Sequence, residues 1–178
     1  MASGLSCPVG FKNGTDGSVK IAVDACLSAS HPHRFLSLTQ TGQVAIFQTR
    51  GNPDCHLILR GGNRGPNFDA ASVDAACAEL KKAGLREQVM IDFSHANSQK
   101  QHQKQIEVGH DIATRMAAGE RRVTGVMIES HLVAGRQDIK PGVSLNYGQS
   151  ITDACIAWDD TEALLATLAE GVAKRRGG

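Results

Sequence analysis

Aromatic residues are scarce: five Phe, one Tyr and one Trp make up 4% of 178 residues. A surface that stacks nucleic-acid bases needs more of them. Charge of one sign is also lacking, since the formal net charge is +1. That removes the electrostatic case for a nucleic-acid or anionic-membrane partner. No apolar run reaches the roughly 20 residues of a membrane-spanning helix. The opening "MASGLSCPVG" has no basic stretch followed by a long apolar one, which argues against a signal peptide. Cys7, Cys26, Cys55, Cys77 and Cys155 are odd in number and never form C-x-x-C. A disulfide framework and a thiolate zinc knuckle are therefore disfavoured, and a reducing cytoplasm is the expected compartment. H-E-x-x-H, G-x-S-x-G and the P-loop order are all absent, which removes zinc-protease, serine-hydrolase and P-loop readings.

What remains is a chain long enough for one ordinary domain with a real core. No linker or low-complexity tract divides residues 1–178. Four segments read as short buried strands: 7–11 "CPVGF", 56–60 "HLILR", 89–93 "VMIDF" and 125–129 "GVMIE". Helical spacing recurs between and after them. Val19, Ala22, Val23 and Cys26 fall at i, i+3, i+4 and i+7, as do Val73, Ala76, Cys77 and Leu80. Val108, Ile112 and Met116 line a third helix, and Leu164, Leu165, Leu168 and Val172 a fourth. Ser98 with Gln101, and Asp159 with Glu162, suit capping boxes, and Gly84 suits a helix stop. Residues 34–50 predict a hairpin around "TQTGQ", and residues 134–149 a long loop.

The strand ends carry chemistry. Lys12 follows the first strand, Arg60 ends the second, His95 follows the third and Glu129 ends the fourth. Arg60 to His95 is 35 positions and His95 to Glu129 is 34, which suits one strand–helix unit per step. Such residues at strand carboxyl ends follow the logic of a (β/α)8 barrel or of a doubly wound sheet. A full barrel takes roughly 250 residues and eight strands, and only four strands are visible. An arginine after three buried aliphatics, followed by two glycines, suits an anionic ligand. Lys12 sits in the glycine-rich "GFKNGTDGS". His95, Glu129 and Asp153 are possible ligands of a divalent metal. His131 lies close to Glu129 in sequence, whereas His102 and His110 read as residues of a polar helix face. Two cations and three metal-ligand candidates suit metal-assisted chemistry on a phosphorylated small molecule.

These stretches resemble the type I 3-deoxy-D-arabino-heptulosonate-7-phosphate (DAHP) synthases, the feedback-regulated first enzymes of the shikimate pathway. The resemblance runs through "SGLSCPVGFKNGTDGS", "GNPDCHLILRGG", "DFSHANSQKQ", "GVMIESHL" and "YGQSITDACIAW". It implies a TIM (β/α)8 barrel of which this chain is the C-terminal half, strands five to eight, with an inserted β-hairpin. It implies a cytoplasmic homo-oligomeric transferase that condenses phosphoenolpyruvate with erythrose 4-phosphate, with a divalent metal ion (Mn, Fe, Co or Zn). By the same resemblance Lys12 and Arg60 bind phosphoenolpyruvate, Lys12 is a candidate proton donor, and His95, Glu129 and Asp153 ligate the metal. Leu5, Ser6, Phe35 and Ser37 would touch an aromatic amino acid that acts as feedback inhibitor. The family's first-strand cysteine ligand, its lysine–proline–arginine–threonine motif and a further phosphoenolpyruvate-binding arginine have no counterpart here. The chain is therefore expected to be inactive alone, and to recruit the missing N-terminal half or self-associate. The alternative is a non-catalytic half-barrel module that binds a phosphorylated ligand.

Overall fold

The computed structural model describes residues 1–177. A short 3-10 turn at Ala2–Gly4 leads into β1 (Val9–Lys12), α1 (Lys20–Ser30), the hairpin strands β2 (Arg34–Leu38) and β3 (Val44–Gln48), then β4 (Cys55–Leu59) and α2 (Ala70–Lys82). β5 (Val89–Asp92), α3 (Lys104–Ala117), β6 (Val123–Met127), β7 (Val133–Arg136), β8 (Gln149–Ser150) and α4 (Trp158–Gly177) complete it. Strands β1, β4, β5 and β6 form one parallel sheet in that order. All four predicted strands are therefore real. The last runs two residues earlier than expected, and its pairing with β5 shifts register between Val89 and Met90.

Side-chain alternation assigns the two faces of this sheet. Leu57, Leu59, Val89, Ile91 and Val123 join one apolar core with Val23, Val73, Leu80, Ile112, Leu164 and Leu168 from the four helices. The other face carries Gly10, His56, Ile58, Met90 and Gly125. A Cβ on Gly10 would meet Ile58 Cδ1 at 2.3 Å, and one on Gly125 would meet Met90 Cε at 2.8 Å. Among the described residues the sheet thus meets helices on one side only. α3 and α4 pack tightly, and a Cβ on Gly109 would meet Leu164 Cδ1 at 2.5 Å and Phe93 Cε2 at 2.9 Å.

Local signals are partly corrected. Gly84, at φ +71°, ends α2, and Leu85 N bonds back to Leu80 O, as a helix stop should. Ser98 and Gln101 are not a capping box: α3 begins at Lys104, Gln103 is its N-cap, and Ser98 Oγ donates to His95 O. Asp159 lies inside the first turn of α4 rather than before it. The side-chain cap found is Asp69, which accepts from Ser72 N at the start of α2. Leu165 faces solvent, and Thr161 and Gly171 take buried places on α4 instead. The expected loop 134–149 contains β7, which pairs with β8, and Gly135 exchanges backbone bonds with Cys155.

β2 and β3 pair as an antiparallel hairpin, with Phe35 opposite Phe47 and their rings stacked at 6.1 Å. It stands away from the core, and Leu36, Leu38, Val44 and Ile46 are all exposed. Thr49 ties its base to the N-terminal turn by accepting from His33 N and donating to Ser3 Oγ.

Candidate metal and anion site

β5 is the centre of the site. Alternation puts Met90 and Asp92 on the helix-free face, and Asp92 is fully buried. A carboxylate removed from water needs partners, and Asp92 has them. Its Oδ1 accepts from Ser94 N at 2.9 Å. Its Oδ2 lies 2.7 Å from Lys12 Nζ and 2.9 Å from His95 Nδ1. The Lys12 contact is an aligned hydrogen bond. The His95 contact lacks that alignment, and among the described residues Nδ1 has no other partner.

His95 has φ +56°, followed by Gln99 at +54° and Lys100 at +60°. Left-handed backbone without glycine costs energy and is held by its surroundings. Here Lys100 N donates to His95 O. The bend folds the imidazole back over Asp92 and sets Nε2 3.8 Å from Glu129 Oε1. Glu129 lies two residues beyond β6 and is fixed at both ends. Its Oε2 accepts from Ser94 Oγ at 2.7 Å. Its backbone is clamped by the buried Gln105 side chain, which accepts from Glu129 N at 2.9 Å and donates to Glu129 O at 3.1 Å. Asp153 arrives on the segment that follows β8, anchored by the Gly135–Cys155 and Ser130–Ile156 bridges.

His95, Glu129 and Asp153 each offer a ligand atom within 4.8 Å of the others. One imidazole and two carboxylates suit a divalent cation such as Mn, Fe, Co or Zn. They line a cleft of about 250 Å³ shared with Ser94, Lys100, His102 and Arg136. His102 is therefore not the helix-face residue expected, because it lies in the turn before α3. His131 does not join the triad: its Nδ1 accepts from Leu132 N.

Arg60 is held by a web of asparagines. Its N–H donates to Asn13 Oδ1 at 2.8 Å, and Asn13 Nδ2 donates to Gly61 O at 2.9 Å. Asn67 Oδ1 accepts from Gly61 N, and Asn97 Oδ1 accepts from Asn67 N. Asn97 Nδ2 then donates to Leu59 O and Asp92 O. Gly61 has φ +73°, and a Cβ there would meet backbone atoms of Ala96 and Asn97 at 2.8 Å. The loops after β1, β4 and β5 are thus locked together. Sequence reasoning missed Asp92, Gln105, Asn13, Asn67 and Asn97. The available signal was a set of polar residues beside apolar strand ends.

A second cleft, about 600 Å³, lies between the hairpin and the N-terminal turn. Leu5, Ser6, Phe35 and Phe47 line it. Ser37 does not, although it shares the Phe35 face of β2.

The chain matches the family model described as the DAHP synthetase I family over residues 1–166. It is 58% identical to the Phe-sensitive phospho-2-dehydro-3-deoxyheptonate aldolase of Escherichia coli K12, covering 99% of this chain and 50% of that protein. It is 55% identical to the corresponding aldolase of Haemophilus influenzae, covering 99% and 49%. A Trp-sensitive relative from Enterobacter agglomerans is 53% identical, covering 98% and 50%. The solved structure of the Francisella tularensis SCHU S4 aldolase superposes with a TM-score of 0.92 at 53% identity, covering 98% of this chain and 50% of that one. The chain spans about half the length of the curated relatives it matches.

Proposed function

From the premise that the chain belongs to the DAHP synthetase I family, we propose that it supplies the C-terminal half of a (β/α)8 barrel that condenses phosphoenolpyruvate with erythrose 4-phosphate. The observation that carries this reading is the meeting of Lys12 with His95 at Asp92, and of His95 with Glu129 and Asp153. These residues come from four separate strand ends or loops. A parallel sheet ordinarily has both faces covered. In a barrel the second face is filled by the remaining strands, which accounts for the helix-free side here.

Lys12 and Arg60 would hold the anionic groups of phosphoenolpyruvate, and Lys12 would give a proton near the reacting carbons. The buried, unaligned His95 Nδ1 and the two carboxylates fit a divalent ion held by His95 Nε2, Glu129 and Asp153. When bound, such an ion supplies Lewis-acid polarisation of a carbonyl oxygen. The chain's own residues orient the ligands: Ser94 and Gln105 fix Glu129, and Asp92 faces His95. Leu5, Ser6 and Phe35, with Ser37 at the margin of the same hairpin face, would receive an aromatic amino acid inhibitor in the larger cleft. Phe- and Trp-sensitive forms occur among the relatives. Five free cysteines fit a reducing cytoplasm.

The test is complementation. Mixed with the N-terminal half of a full-length relative, the chain should consume phosphoenolpyruvate in the presence of Mn2+ and erythrose 4-phosphate. Alone it should not. Robust turnover by the chain alone would sink the fragment reading. Mn2+ binding without turnover in the mixture would instead favour a non-catalytic binding module.

A further inference from the structure

We propose that Asp92 is a positioning residue that couples the phosphoenolpyruvate-binding cation Lys12 to the metal ligand His95 through one shared carboxylate oxygen. The inference rests on the substrate and metal reading given above. Its geometry is independent of that reading. Oδ2 receives Lys12 Nζ at 2.7 Å and faces His95 Nδ1 at 2.9 Å, while Oδ1 is engaged by Ser94 N. The carboxylate is fully buried. Oδ2 already holds the Lys12 ammonium in an aligned bond while the His95 contact stays unaligned, so a stronger hold by one donor weakens that of the other.

Two consequences follow. First, a carboxylate facing Nδ1 favours the tautomer with its proton on Nδ1. Nε2, which points toward Glu129, is then bare for a metal. Carboxylate–histidine–metal relays of this kind fix the ring and raise the basicity of the ligating nitrogen. The His95–Asp92 contact should gain alignment when Nε2 is engaged, as such bonds commonly tighten on loading. Second, when His95 claims Oδ2 more strongly, the hold on Lys12 weakens. The ammonium is then free to face the carboxylate or phosphate of the substrate. An anion that draws Lys12 away leaves Oδ2 to His95. The linkage is reciprocal, so each ligand tightens the other by the same factor.

The test uses the full chain with Mn2+ and phosphoenolpyruvate as separate calorimetric probes. In the unmodified protein each should tighten the other. Asp92→Asn keeps the shape and removes the charge. It should weaken Mn2+ binding roughly tenfold or more. Phosphoenolpyruvate binding without metal should hold or improve, because Lys12 loses its internal competitor, and the mutual tightening should shrink. Equal Mn2+ affinity in both proteins, or parallel weakening of both ligands, would overturn the proposal. If Asp92→Asn does not fold, 15N NMR of the imidazoles in the unmodified protein decides. A proton on His95 Nδ1 supports the proposal, and a proton on Nε2 overturns it. Binding of Mn2+ but not of phosphoenolpyruvate when the N-terminal half is also present would sink the substrate reading alone, since the Mn2+ comparison still judges the hold of Asp92 on His95.

Discussion

Ser94 does two jobs with two atoms. Its amide donates to Asp92 Oδ1, and its hydroxyl donates to Glu129 Oε2 at 2.7 Å. It therefore links the central carboxylate to Glu129, a candidate metal ligand at the neighbouring strand end. Removing the hydroxyl leaves Glu129 Oε2 free to rotate away from the triad. We expect Ser94→Ala to lower Mn2+ affinity roughly tenfold, read by calorimetric titration. The folded state should lose only about 1 kcal/mol, the net worth of one ordinary hydrogen bond. An unchanged Mn2+ affinity would show that Glu129 needs no such support. His95 makes the companion point: its left-handed backbone is a local cost accepted for the direction it gives the imidazole.

At the scale of elements, an ion network fastens the loop between α3 and β6. Glu120 receives Arg122 Nε at 3.0 Å and Nη2 at 2.7 Å. Arg122 reaches on to Asp74 of α2, and Arg175 of α4 donates to Glu120 O. The Arg122 hydrogen bonds hold the Glu120 carboxyl down to about 2 from an ordinary value of 4.5, although partial burial pulls the other way. Because the folded value is depressed, the stabilisation is present above the ordinary value and is lost as pH falls through about 2. Glu120→Gln should cost roughly 1–2 kcal/mol at neutral pH, after allowance for the part-exposed partners. In chemical denaturation the gap to the unmodified protein should close steadily between about pH 5 and pH 2. A gap independent of pH would mean that packing, not charge, carries the effect. The net shift has the opposite sign for Cys26, where burial prevails and pushes the thiol up to about 12. That marks it as a core residue of α1 rather than a nucleophile.

For the whole molecule, the parallel sheet ends at β1 on one side and β6 on the other, and its helix-free face bears Met90 and Gly125. The hairpin adds Leu36, Leu38, Val44 and Ile46, each at least 64% exposed. Open strand edges and exposed apolar surface promote association. Sedimentation velocity should show concentration-dependent assembly of the isolated chain. The double change Leu36→Lys, Ile46→Lys should lower that assembly while leaving the melting temperature within a few degrees, since neither side chain is buried within the chain. A monodisperse monomer at high concentration would show these surfaces to be inert.

By itself the sequence determined the α/β alternation, the four parallel strands, the faces of α1 and α2, the hairpin and the residues at the strand ends. Each of these is written in period, turn chemistry or local polarity, which act over a few positions. Capping of α3 was misread, because Ser98 is held by the bend at His95 and not by a helix start. The loop 134–149 was misread because β7 finds its partner only through the return of β8. Most of the site's wiring was equally invisible. Asp92 joins Lys12 to His95 across 80 and 3 positions, and Gln105 clamps Glu129 across 24. Only the tertiary structure decides such pairings, because a buried carboxylate or amide takes whichever donors the strand register brings within reach.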